Sequence, residues 1–162
     1  MAETQIAETQ MQRLIDRLGL MPHPEGGFYR ERHRSSLSVR RADGSERAAF
    51  TVIDFLLPAG VTSRWHRLIG AEESWHHAGG AALILWRGEA KLKTPSTSEA
   101  LALRLGPLDL DHPDQYPVQI IEPGCWQAAR SLGDWSLVNC CVAPGFEFTD
   151  FVCPEVQKRS TL

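Results

Sequence analysis

Hydrophobic positions follow two different grammars along this chain. Over roughly residues 3–18, Ile6, Met11, Leu14, Ile15 and Leu18 recur near helical spacing, which predicts an amphipathic helix. Gly19 stands where a C-cap glycine belongs, and Pro22 and Pro24 lie just beyond it. A helix this short must dock onto something to persist. From about residue 25 the pattern changes to short apolar or alternating runs. Residues 48–57 (AAFTVIDFLL) form a near-continuous run rich in β-formers, closed by Pro58-Ala59-Gly60. Further strands are predicted at 63–68, 73–77, 82–86, 90–93, 101–105, 118–121, 126–130, 137–142 and 146–152. Gly, Pro, Asp and Ser fill the gaps, and Arg87-Gly88-Glu89-Ala90 reads as a tight hairpin. Turn signals every ~8–12 residues predict an all-β sandwich or barrel behind a short N-terminal α-helix. No solenoid-period repeat or low-complexity linker divides the chain. One domain over 1–162 is expected, with helix about 3–18 and barrel about 25–153. Only 94–99 and the tail from Gln157 read as loose.

Composition narrows the function classes. A length of 162 residues suits one core, and 43% hydrophobic with 23% charged residues is a globular balance. A net charge of −3 gives no support to nucleic-acid binding. The most basic stretch, Arg30 to Arg41, is diluted by Ser and Glu and reads as a solvated strand and loop face. The four cysteines form no CxxC pair, which argues against a zinc ribbon or a redox motif. Cys140 and Cys141 should point to opposite faces of a strand, as reduced structural thiols. No apolar stretch reaches the ~18 residues of a membrane span. The start, Met-Ala-Glu-Thr-Gln, has neither the basic nor the apolar region of a signal peptide, so a cytoplasmic location is expected.

Candidate chemistry concentrates between Gly60 and Gly80. His66, His76 and His77 lie there with Glu72 and Glu73. Alternation along a strand gives His66 and Leu68 one face, and Glu73, Trp75 and His77 another, with His76 opposite unless a bulge intervenes. A hairpin around Gly70-Ala71 then brings His66 and Glu73 together inside the barrel. An imidazole and a carboxylate suit a divalent metal (Fe, Mn, Ni or Zn) or acid–base work. Trp65, Trp75 and Trp126 flank these residues and suit an aromatic wall. Gln127 suits ligand orientation through its amide. Tyr29 and Arg30 offer a ring and an anion-binding fork, or a dimer-facing strand. Phe146, Phe148 and Phe151 alternate with Glu147 and Asp150, mostly as core, with Glu147 within reach of the pocket.

These residues resemble a known family. Gly60, His66, Glu73 and Gly80 match the first cupin motif, G-x5-H-x-H-x3,4-E-x6-G, with Leu68 at the second histidine position. In Glu122-Pro123-Gly124-Cys125-Trp126-Gln127 only Gly124 matches the second motif, and Gln127 stands at its histidine. More specifically, HPEGGFYRE (23–31), TVIDFLL (51–57), EESWHHAGG (72–80), PGCWQAA (123–129) and VAPGFEFTDF (142–151) are similar to the cupin-5 (DUF985) family. The resemblance implies a jelly-roll-like double-stranded β-helix, a homodimer and a small-molecule pocket, with family pattern favouring His76 over His77 inward. Its usual metal site rests on three histidines and a glutamate, of which this chain retains His66 and Glu73, with Gln127 as a weak third donor.

The expected activity is small-molecule binding with isomerase- or epimerase-like chemistry on a polar or sugar-like metabolite, His66 and Glu73 acting as base and acid. The rivals are a non-catalytic binding protein, a metal-dependent dioxygenase using His66, Glu73 and one of His76 or His77, and a structural protein with a vestigial pocket. The ligand-binding set is Tyr29, Arg30, Trp75, His76, His77, Trp126, Gln127 and Glu147.

Overall fold

The computed structural model describes residues 2–93 and 95–154; Thr94 and the tail from Gln157 lie outside the described residues. Helix α1 spans Ala2–Leu18. Leu20 N donates to Ile15 O (2.9 Å), and Gly19 takes a φ of 59°, as a C-cap glycine should. Carbonyls at the helix end are met by arginines of the strand at 28–34. Arg32 Nη2 donates to Leu18 O (2.7 Å) and Arg30 Nη1 to Gly19 O (3.4 Å). Two guanidinium groups at a helix C-terminus satisfy its unpaired carbonyls and its dipole together, which is how the helix end docks.

Fourteen strands follow among the described residues: β1 (Met21–Pro22), β2 (Phe28–Arg34), β3 (Ser38–Arg40), β4 (Glu46–Ala48), β5 (Thr51–Pro58), β6 (Arg67–Leu68), β7 (Glu72–Gly80), β8 (Leu83–Gly88), β9 (Leu101–Leu105), β10 (Gln115–Tyr116), β11 (Val118–Ile121), β12 (Trp126–Ser131), β13 (Trp135–Ala143) and β14 (Phe151–Val152). A six-stranded sheet runs β1-β2-β5-β13-β7-β11, and a four-stranded sheet runs β10-β9-β8-β12. β3 pairs with β4, and β6 with β14, as two small ribbons. Among the described residues no helix is long and apolar enough to cross a membrane.

Period-2 alternation decides what enters the interior. On β13, Ser136, Val138, Cys140 and Val142 are buried while the residues between them are not. Cys140 and Cys141 therefore do face opposite ways. The core joins the two sheets through Leu57, Leu83, Leu85, Leu105, Val138 and Ala129, each at 1% exposure or less.

Several predicted elements form differently. Strands at 101–105 and 118–121 form with those bounds. The 63–68 segment is not a regular strand: it touches β12 by single bridges at Thr62–Arg130 and His66–Gln127 before the short β6. No strand forms at 90–93, and no tight hairpin at 87–90, because the next strand after β8 is β9. There the chain turns, with Leu92 N donating to Glu89 O (3.1 Å) and Leu92 O accepting from the buried Trp126 indole (2.7 Å). The 146–152 run becomes a 3-10 turn at Phe148–Asp150 followed by β14. Within the basic 30–41 stretch the chain enters the β3–β4 hairpin, whose turn carries Asp43-Gly44, with Gly44 at a φ of 85°.

Candidate functional site

A cavity of about 430 Å³ lies against the inner face of the six-stranded sheet. Its walls come from one end of the inward rows: Thr51, Ile53 and Phe55 early on β5, and Cys140 and Val142 late on the antiparallel β13. Leu68, Phe146, Phe148 and Phe151 complete an apolar enclosure around a few titratable groups.

His66 and Glu73 both line this cavity and are almost fully buried, at 4% and 7% exposure. His66 is set by its backbone. It exchanges two hydrogen bonds with Gln127, His66 N to Gln127 O (3.1 Å) and Gln127 N to His66 O (2.8 Å). Its ring stacks on Phe151 at a centroid distance of 5.2 Å and an interplanar angle of 20°. Its Nδ1 lies 3.0 Å from the Arg64 carbonyl oxygen and 2.9 Å from Glu25 Oε1. Two acceptors at one ring nitrogen require that nitrogen to carry the proton, which leaves Nε2 as the basic atom when the ring is neutral.

Glu25 comes from the turn between β1 and β2. His23 N donates to Gly27 O (2.9 Å), Gly26 N to His23 O (3.0 Å), and Arg64 N to Glu25 O (2.9 Å). Gly27 has a φ of 75°, and a Cβ there would stand 2.5 Å from Leu56 O. Only glycine lets the turn fold this close to β5 and carry the carboxylate inward. Glu25 ends up 6% exposed, with His23 beside it.

Glu73 is held from the other side. Gln127 Nε2 donates to Glu73 Oε2, and Trp75 Nε1 donates to Gln127 Oε1 at 2.9 Å. The indole fixes the amide, so the amide must present its N–H to the carboxyl group. Burial raises the Glu73 pKa, against the opposing charge of His66 and the Gln127 hydrogen bond. For His66, burial alone works against the charged ring. The charge and hydrogen bond of Glu25, with the charge of Glu73, outweigh it and hold the pKa above its ordinary value. His23 goes the other way: burial lowers its pKa despite Glu25. Burial and the neighbouring charges therefore raise the proton affinity of His66 and of Glu73 and lower that of His23.

Of the residues singled out in the sequence, His66, Glu73, Tyr29, Arg30, Trp75 and Glu147 line the cavity. Gln127 lies behind it, fully buried and hydrogen-bonded. Trp126 alternates to the other side of β12, donates to Leu92 O and sits under the Arg67 guanidinium (4.4 Å to the ring centroid). His76 pairs with Ser74 Oγ (2.9 Å), and His77 Nε2 lies 3.2 Å from Ala81 O. His77 has the inward parity of Trp75, but it sits further along β7 than the cavity extends, and His76 does not line the cavity either. Sequence reasoning missed Glu25 and His23, and read as mostly core the Phe151 that also lines the cavity. For Glu25 the signal was its place before two glycines, which shows a turn but not its depth.

Residues 12–153 match the family model described as Cupin superfamily (DUF985). The chain belongs to this cupin family. A protein from Shewanella oneidensis is 34% identical, with a TM-score of 0.74 over 87% of this chain and 82% of its own. A hypothetical protein from Leishmania major is 29% identical, with a TM-score of 0.75 over 87% and 85%. An uncharacterized conserved protein with a double-stranded β-helix domain from Klebsiella pneumoniae is 14% identical, with a TM-score of 0.56 over 88% and 95%, and shares the fold. No protein of curated function matches the chain. The all-β double-stranded β-helix with one short N-terminal helix is thus the architecture of this cupin.

Cupins often hold a metal, and the donors in this one do not suit it. Leu68 offers no lone pair where a histidine would stand. Gln127 is engaged by Trp75 and Glu73, which leaves only His66 and Glu73 of the expected donors. Among the described residues no group of three or more His, Cys, Asp or Glu is arranged to hold a metal ion.

Proposed function

We propose that this cupin binds a small organic molecule in the cavity and moves a proton on it, as an isomerase does, with His66 and Glu73 as the exchanging groups. The arrangement of His66 carries the reading. A buried imidazole whose Nδ1 is committed to Glu25 and Arg64 has its other nitrogen available as a base, and Glu25 stabilises the imidazolium that forms. Glu73, with its pKa raised by burial, is suited to act as the acid. Neither role needs a metal.

The walls favour a particular kind of molecule. Hydroxyl groups set against Ile53, Phe55, Val142 and Phe151 would lose their hydrogen bonds to water. We therefore favour a ligand with one polar, reactive end and an apolar body over a fully hydroxylated sugar. The same walls support the rival reading, a binder without chemistry.

Proton exchange with solvent separates the two. Phenylacetaldehyde and phenylacetone serve as probes, incubated with protein in D2O while the signals of their α-protons are followed by NMR. Wild-type protein is expected to accelerate the loss of these signals, and His66→Gln to reduce that acceleration by about 10²–10⁴-fold. Probes that bind, seen by saturation transfer, yet exchange no faster than in buffer would overturn the catalytic reading in favour of the binder.

A further inference from the structure

The β3–β4 hairpin stands outside both main sheets, and a lone two-stranded ribbon is marginal in water. Most of its fastenings reach residues 145–151, the segment that carries the aromatic wall of the cavity. At one end Gly145 N donates to Ala48 O (2.7 Å). At the other, Arg47 grips Asp150 with two parallel hydrogen bonds, Nε to Oδ2 (2.8 Å) and Nη2 to Oδ1 (2.9 Å). Arg41 Nη1 adds a third, to Oδ2 (2.9 Å), and its Nη2 donates to Ile69 O (3.0 Å). The room for Arg41 is built in: a Cβ at Gly70 would stand 1.9 Å from its Nη2.

These are not surface pairs. Side-chain exposure is 10% for Asp150, 11% for Arg41 and 14% for Arg47. Losing one partner would leave a nearly buried charge uncompensated. The clamped segment holds a single three-residue 3-10 turn, after which Phe151 opens β14 opposite Leu68 of β6. Its side chains make the wall. Phe146, Phe148 and Phe151 meet edge-on at 5.0–6.3 Å, and Phe151, next to Asp150 in the chain, stacks on His66.

We infer that Asp150, held by Arg41 and Arg47, is a positioning residue: it fixes Phe151 against the His66 ring and so sets the orientation of that ring in the cavity. The inference rests on the cavity reading of His66 but not on proton transfer, which has its own test above.

A ring stacked on a phenyl group experiences its ring current, so the His66 C–H resonances carry a direct signature of the contact. Full-length protein with ¹³C-labelled histidine is observed by NMR, with His66→Gln assigning the signal and Phe151→Leu defining the unstacked shift. In Asp150→Asn the His66 signal is expected to move from its wild-type position toward the Phe151→Leu position. Arg47→Lys keeps the charge but loses the two-pronged grip, and is expected to fall between. It also serves if Asp150→Asn does not fold. Folded variants that lower the melting temperature and leave the His66 signal at its wild-type position would overturn the inference, because a merely structural pair would do that.

Discussion

Along β5, β7 and β13 the inward side chains change character partway, so that one interior is packed and the other open. Leu57 on β5 and Val138 on β13 point into a region closed by Leu83, Leu85 and Leu105 from the opposite sheet. Thr51, Ile53, Glu73, Cys140 and Val142, on the same strands and the same face, border the cavity. The divide falls near Trp75, which packs edge-on against Phe55 at 5.9 Å on one side and hydrogen-bonds Gln127 on the other. The difference teaches that a single pattern of alternation can build both a core and a site. What separates them is the partner across the barrel: leucines from β8 and β9 at one end, and at the other the irregular 62–68 and 145–151 segments.

Substitutions on the two sides should fail in different ways. The largest effect expected is chemical, the about 10²–10⁴-fold loss of proton exchange in His66→Gln described above. In the packed half, Leu85→Ala removes a fully buried side chain and is expected to destabilise the fold by about 2–5 kcal/mol, read from urea unfolding. Ile53→Ala deletes comparable atoms from a wall that already borders open space, so it should cost clearly less than Leu85→Ala. Equal costs for the two would break the distinction between packed and open halves.

Stability against pH sharpens it further. Glu73 has its pKa raised by burial, so the native state binds that proton more tightly than the unfolded chain. Its contribution is full below the ordinary value of 4.5 and is lost as pH rises through the raised native value. His66, also raised, adds a second loss as pH climbs above 6.5. Asp150 runs the other way. Hydrogen bonds from Arg47, against the effect of burial, depress its pKa, so its contribution is present above 3.8 and lost as pH falls through the lower native value. Melting temperatures from pH 3 to 8 should therefore rise and then decline, and Glu73→Gln should flatten the earlier part of the decline while leaving the acid limb in place. A decline unchanged in Glu73→Gln would remove Glu73 as its source.

Smaller effects follow at the divide and beyond it. Trp75→Phe leaves Gln127 Oε1 buried without its donor and should cost about 1–3 kcal/mol in chemical unfolding. Arg87→Ala breaks an exposed pair with Glu122 and should cost no more than about 1 kcal/mol.

How far the sequence reached follows the same divide. The sheet strands were legible as β-forming runs between turn signals: β9 and β11 formed with the expected bounds, and on β13 burial alternates, so Cys140 and Cys141 split as parity requires. His66 and Glu73 were legible through motif spacing. The irregular segments were not. Glu25 reaches the cavity through a glycine turn, and β14 follows a 3-10 turn held by arginines more than a hundred residues earlier in the chain; neither arrangement leaves a period to read. For His77, parity was right but position along the strand decided, and alternation carries no information about where a cavity ends. The Asp43-Gly44 turn of the β3–β4 hairpin was a local signal that the charge pattern around it obscured.

Gln127 also constrains how this lineage could change. A histidine there would leave the Trp75 indole without its acceptor and Glu73 without its amide partner, both deep inside the barrel. Leu68→His alone would bring a third donor beside His66 and Glu73, as an imidazole set in an apolar wall. A path to a metal-bearing cupin therefore begins more easily at Leu68 than at Gln127, whose exchange breaks two buried hydrogen bonds. That asymmetry predicts that position 68 changes more freely than position 127 among related cupins.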